Sequence, residues 1–197
     1  ELITLLDVAE KGASLDAFIT QLTTEDMIHL VKGVPSIGVS CTSRFGSIEE
    51  RHIPPVMTID GPAGVRIDRR CEVNCTAWPV ATALACTWNL ELMEEIGRAG
   101  ALEAKENNLQ IWLTPALNIH RSPLCGRNFE YYSEDPYLAG KMAAACIRGI
   151  QSQGVSACAK HFAVNSQELK RMSVDSVVDQ RTLREIYLTG FEIAVKE

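Results

Sequence analysis

Short, mostly apolar segments alternate with longer amphipathic ones through most of this sequence, and that alternation restricts the fold more than any other feature. Val56–Ile59 reads as a strand that runs into Asp60-Gly61-Pro62, a turn. Val80–Leu84 is expected to form a second strand. Asn89 is a suitable N-cap for a helix to about Asn107, with Leu92, Ile96 and Ala99 on one face. Ile111–Leu113 follows as a third strand, then a long polar loop rich in Arg, Asn, Ser and Tyr. Asp135-Pro136 joins a capping carboxylate to a proline at the first helical position, and Leu138, Met142, Cys146 and Ile150 recur at helical spacing before Gly154. Val155–Ala159 is a fourth apolar strand, and a last helix starting near Asp179 presents Leu183, Ile186, Tyr187 and Phe191. Strands that are apolar on both faces need cover on both faces, so the pattern predicts an α/β fold with parallel strands and outer helices. A doubly wound sheet and a (β/α)8 barrel both satisfy it; four strands would be about half of the eight that a barrel closes over ~250 residues.

Ahead of this region, Leu15, Phe18, Ile19 and Leu22 fall at helical spacing, and Thr23 with Asp26 caps a second short helix that Gly33 stops. Residues 34–54, with Gly, Ser, Pro and scattered charge, are expected to be a loop. The 197 residues, 46% hydrophobic and 22% charged, suffice for one substantial core. No apolar run approaches the ~20 residues that span a bilayer. The net charge of -6 argues against a nucleic-acid partner, since the nearest approach to a basic patch, Arg66 with Arg69 and Arg70, is interleaved with Asp60 and Asp68. Seven cysteines at irregular spacing read as reduced thiols, which favours a reducing compartment, and Cys71 with Cys75 lacks the spacing of a zinc site. Neither a Gly-rich phosphate loop nor a His-Glu-x-x-His helix is present, so no cofactor and no metal are expected.

In parallel α/β folds ligands bind where the strands end, because the loops there converge. Three polar clusters occupy such positions: Asp60 after the first strand, Arg127 and Glu130 in the loop after the third, and Lys160-His161 after the fourth. Each has a plainer reading. Asp60-Gly61-Pro62 is also an ordinary turn, Arg127 with Glu130 a structural ion pair, and His161 a satisfied core histidine. Tyr131, Tyr132 and Tyr137 either stack on a ligand or pack over the strand ends. As a set, carboxylate, guanidinium, ammonium and imidazole groups suit a neutral polyhydroxylated ligand, whose hydroxyls they hydrogen-bond from fixed directions.

Three longer blocks carry a resemblance: Asp60-Gly-Pro-Ala-Gly-Val-Arg66, then Gly126-Arg127-Asn-Phe-Glu130-Tyr-Tyr-Ser-Glu-Asp-Pro136, then Lys160-His161-Phe-Ala-Val-Asn165-Ser-Gln-Glu168-Leu-Lys-Arg171. With Asp179-Gln-Arg-Thr-Leu-Arg-Glu185 after them, the chain resembles the barrel of family 3 glycoside hydrolases of the β-glucosidase type. The resemblance implies residues 1–20 as an upstream connection and 21–197 as the leading part, about the first half, of a (β/α)8 barrel domain. It further implies that Asp60, Arg127, Lys160, His161 and Arg171 line the subsite for the terminal sugar, that Glu130 orients Arg127, and that a cis peptide lies near Lys160–His161. The reaction implied is retaining hydrolysis of terminal β-D-glucosyl residues from a glucoside or oligosaccharide; a β-xylosidase, a broad-specificity β-glycosidase and a non-catalytic sugar-binding barrel are the alternatives. Retention needs a nucleophile and an acid/base. The family's Ser-Asp-Trp-type nucleophile motif does not occur here, so both reacting groups are expected from outside this chain, in the remaining barrel and further domains of the same protein, some of them ahead of Glu1, and these residues alone are expected to be inactive. The hexosaminidase branch continues Lys-His-Phe as Pro-Gly-His-Gly, whereas Ala163-Val164-Asn165 stands here, which disfavours that branch and His161 as acid/base.

Overall fold

The computed structural model describes residues 2–35 and 41–197. Three short helices come first: α1 (Leu5–Lys11), α2 (Leu15–Thr20) and α3 (Thr24–Val31). Thr4 and Thr23 each form a capping box with the aspartate three residues on, which stops the first-turn N–H groups from going unpaired. The loop expected over 34–54 is replaced by structure. Strands β1 (Gly33–Pro35) and β2 (Ser43–Phe45) form there, with a 3-10 turn at Glu49–Arg51; residues 36–40 of that stretch lie outside the described residues. They are three-residue strands of mixed polarity, too short to show a period of two, and they are stabilised by pairing: β1 with β2, and β2 with β3 (Val56–Ile59).

The sheet order is β1-β2-β3-β4-β5, where β4 is Ile111–Trp112 and β5 is Ser156–Ala157. The first two pairings are antiparallel, and β3-β4 and β4-β5 are parallel, with Ile59 beside Trp112 and Trp112 beside Ala157. The sheet is therefore mixed and open rather than wholly parallel. Of the four expected strands, Val80–Leu84 is a correction: Ala81–Ala85 is a helical turn, α4, that begins after Val80. A five-residue apolar run carries no period of its own, and the alanines of Ala-Thr-Ala-Leu-Ala favour the helix.

The long helices follow their expected limits closely. Helix α5 (Leu90–Glu106) is capped by Asn89, and α6 (Pro136–Gln151) by Asp135, whose Oδ1 accepts from the Tyr137 N–H at 2.8 Å. The last helical segment starts behind the cap Asp179 as α7 (Gln180–Thr182), passes through a π-helical turn at Leu183–Tyr187, and ends as α8 (Thr189–Lys196). Helices α5 and α6 touch backbone to backbone. A Cβ on Gly97 would lie 2.5 Å from the Cys146 carbonyl oxygen, and one on Gly149 would lie 2.1 Å from that of Glu94. Beneath them Trp112, Ile59, Met142, Ile150, Ala101 and Ala104 form a continuous core that holds the parallel strands in place. Among the described residues no helix is long and apolar enough to cross a membrane.

Candidate functional site

The parallel register aligns the carboxyl ends of β3, β4 and β5, so whatever follows each strand emerges on one side. Asp60 follows β3 directly. Its chain turns sharply through Gly61 and Gly64, with φ of 117° and 131°, values that a residue with a Cβ rarely adopts. The turn is tied down from three directions: Arg66 N–H donates to the Asp60 carbonyl at 2.9 Å, Trp78 N–H to Ala63 at 2.9 Å, and the Trp112 indole N–H to Gly61 at 3.0 Å. After β4, cis Thr114-Pro115 redirects the chain alongside the segment after β5, where Leu117 N–H donates to the Lys160 carbonyl at 2.7 Å. The Lys160–His161 peptide is cis, and so is Phe162–Ala163.

Side chains from these three ends meet. Lys160 Nζ donates to Asp60 Oδ1 at 2.7 Å, and Arg66 pairs with Asp60 Oδ2. Burial works to raise the Asp60 carboxyl, but the hydrogen bond and charge of Lys160, the Gly61 N–H and the charge of Arg66 prevail and hold it below the ordinary carboxylate value. Asp60 is thus a fixed anion. Arg127 pairs with Glu130, which the 3-10 turn Asn128–Glu130 buries. Tyr131 is fully buried, and its hydroxyl lies 2.9 Å from His161 Nδ1. Burial, then the charges of Arg127 and Lys160, push the His161 imidazole down to about 4, so the ring is neutral at ordinary pH. Arg171, 50% exposed, reaches Glu168 at 3.3 Å.

A cleft of about 1020 Å³ lies between these groups, and Asp60, Arg127, Glu130, Lys160, His161 and Arg171 all line it. The structure therefore gathers all six residues that the resemblance assigned to the subsite and its support. It also adds Arg66, Asn165 and Glu168, which the motifs contain but which the reading of strand ends gave no reason to select. The tyrosines separate: Tyr131 reaches the site by its hydroxyl alone, Tyr132 is buried, and Tyr137 is exposed beside Lys141. The three carboxylates of the cleft are each engaged by a cation: Asp60 by Lys160 and Arg66, Glu130 by Arg127, Glu168 by Arg171. Carboxylates neutralised in this way suit holding a ligand better than attacking one. Among the described residues no three His, Cys, Asp or Glu side chains converge as metal ligands would.

The family model described as glycosyl hydrolase family 3 N terminal domain matches residues 41–197. Beta-glucosidase A of Butyrivibrio fibrisolvens is 54% identical over 192 residues, which are 98% of this chain and 23% of that protein. The thermostable beta-glucosidase B of Acetivibrio thermocellus is 48% identical over 194 residues, 94% of this chain and 25% of its own length. The chain thus spans about a quarter of the length of these relatives. Among solved structures, a beta-glucosidase of Paenibacillus barengoltzii superposes with a TM-score of 0.92 at 46% identity, covering 100% of this chain and 22% of that one. Beta-glucosidase 3B of Thermotoga neapolitana in complex with glucose gives 0.86 at 48% identity, covering 92% and 27%. The open sheet with its flanking helices is the partial (β/α)8-type barrel that the sequence led us to expect.

Proposed function

Because this chain belongs to glycosyl hydrolase family 3, we propose that the protein carrying it hydrolyses terminal, non-reducing β-D-glucosyl residues with retention of configuration, and that these residues supply most of the subsite for that sugar. The observation that carries the proposal is the cleft at the strand ends, where Asp60 is held as an anion between Lys160 and Arg66, with Arg127, His161 and Arg171 around it.

A pyranose hydroxyl both donates and accepts. In this reading Asp60 accepts a hydrogen bond from a sugar hydroxyl, because each of its oxygens keeps a lone pair beyond the one that a cation occupies. Lys160, Arg127 and Arg171 donate to the sugar oxygens. Charge-assisted bonds are roughly twice as strong as neutral ones. A sugar that lacks the matching hydroxyl leaves these groups desolvated and unpaired, which is the basis of discrimination. Glu130 holds the Arg127 guanidinium in one orientation, so little side-chain entropy is lost on binding.

The two carboxyls of a retaining glycosidase stand ~5–5.5 Å apart, one attacking and one protonating the leaving oxygen. With Asp60, Glu130 and Glu168 each committed to a cation, the proposal takes both reacting groups from outside the 197 residues, whose sequence holds no Ser-Asp-Trp. The substrate is then a β-glucoside or short oligosaccharide that enters between this cleft and those groups. The test is Asp60→Ala in the full-length protein, assayed on an aryl β-glucoside. Loss of the hydroxyl contact should lower kcat/KM more than about tenfold, the factor set by ~1.4 kcal/mol of transition-state binding. Unchanged kinetics would refute the assignment.

A further inference from the structure

Behind His161 runs a chain of hydrogen bonds that the binding of a sugar does not by itself require. The Asn165 side-chain amide donates to the Tyr131 hydroxyl at 2.8 Å and to Glu168 Oε1 at 3.1 Å. The Tyr131 hydroxyl in turn lies 2.9 Å from His161 Nδ1. Glu168 Oε2 also accepts from the Arg171 guanidinium at 3.3 Å, which holds the carboxylate in place.

Donor and acceptor rules settle the direction of every bond in this chain. An ionised carboxylate only accepts, so the Asn165 atom facing Glu168 is its nitrogen, the carbonyl oxygen being repelled there. An amide nitrogen carries two protons; one goes to Glu168 and the other to the Tyr131 oxygen. The Tyr131 oxygen has thereby accepted, and its single proton needs an acceptor. Tyr131 is fully buried, and among the described residues His161 Nδ1 is the remaining partner of its hydroxyl. Were Nδ1 protonated as well, two protons would face each other and a buried O–H would go unpaired, which proteins avoid. The phenol keeps its proton, since burial pushes Tyr131 up to about 12.

We propose that Glu168, Asn165 and Tyr131 act as positioning residues that order the protons behind His161, so that its ring presents Nε2–H to the cleft and serves the sugar only as a hydrogen-bond donor. His161 then has no lone pair to offer a substrate hydroxyl and cannot act as a base. The tautomer is derived from the protein alone; its meaning for substrate rests on the sugar-binding reading given above.

The test is the tautomer of His161 in the full-length protein with nitrogen-15-labelled histidine, observed near pH 7 by long-range proton–nitrogen correlation, with the signal assigned by its loss in His161→Gln. The expected result is a single neutral form protonated on Nε2. A ring protonated on Nδ1, or on both nitrogens, overturns the proposal. Tyr131→Phe should release the ring into a mixture of tautomers, and an unchanged spectrum would count against the relay; if that variant misfolds, the unaltered protein's spectrum still decides. For activity, Tyr131→Phe should cost about fivefold or more in kcat/KM in the parent and nothing further in a His161→Gln background, whereas full additivity would show that Tyr131 does not act through His161. Because the spectrum needs no sugar, an Nε2–H ring together with unaltered kinetics of Asp60→Ala would leave the proton order standing and remove only the glycosidase reading.

Discussion

His161 and Asp60 make the site sensitive to acid, and in both cases the sign follows from which state binds the proton. An unfolded histidine titrates near 6.5, whereas burial and then the neighbouring Arg127 and Lys160 hold folded His161 down to about 4. Between those values the unfolded chain carries a proton that the folded one refuses, so stability falls as the pH drops from 6.5 toward 4 and levels off below. Folded Asp60, whose carboxyl is held below its ordinary value by Lys160 against the effect of burial, adds a loss of the same sign at lower pH. We expect the Tm of the full-length protein to decline over this range, and His161→Gln to flatten the upper part of the slope. A slope unaltered by that substitution would contradict the buried neutral imidazole. At this scale the membership of the cleft was readable from residue types and order: Asp60, Arg127, Glu130, Lys160, His161 and Arg171 were all selected from their places after predicted strands or in the motifs, and all line it. Asn165, Glu168 and the inward hydroxyl of Tyr131 were not, because their roles lie in mutual distances that no local pattern encodes.

Between elements, the tightest constraint is the contact of α5 with α6. Replacing a helical glycine by alanine ordinarily stabilises by up to ~1 kcal/mol. At Gly149 the added Cβ would meet the Glu94 carbonyl oxygen at 2.1 Å and the Arg98 nitrogen at 2.9 Å, both backbone atoms that cannot rotate away. Gly149→Ala must therefore part the helices, and overpacking of this kind costs about 1–3 kcal/mol. The variant is expected to unfold at lower temperature or denaturant concentration, while Gly126→Ala, with nothing within 4 Å, should behave like the parent. Caps and amphipathic periods were legible here: Asn89, Asp135 and Asp179 all start helices where their sequence context says they should. Val80–Leu84 misled because a brief apolar run fits strand and helix alike, and β1 and β2 were missed because they exist only through pairing, β1 with β2 and β2 with β3.

For the molecule as a whole, the sheet is open: among the described residues β5 pairs with β4 alone, and large apolar side chains stand in water nearby, Phe162 at 75% and Val195 at 85% exposure. An unpaired edge beside apolar surface templates association. A polypeptide of these 197 residues alone is therefore expected to self-associate or stay unfolded in sedimentation and melting experiments; a monomer with a cooperative melt would refute this. What the sequence determined by itself was local: where helices start, which runs are apolar enough to be buried, and which side chains follow each strand, all consequences of residues within about one helical turn of one another. Tertiary structure alone decided that Lys160 would neutralise a carboxylate 100 residues away, that the Tyr131 hydroxyl would face His161 across 30, and that a sheet begun antiparallel would continue parallel. Ion pairing, proton placement and burial depend on distance through space, and only the folded chain sets those distances.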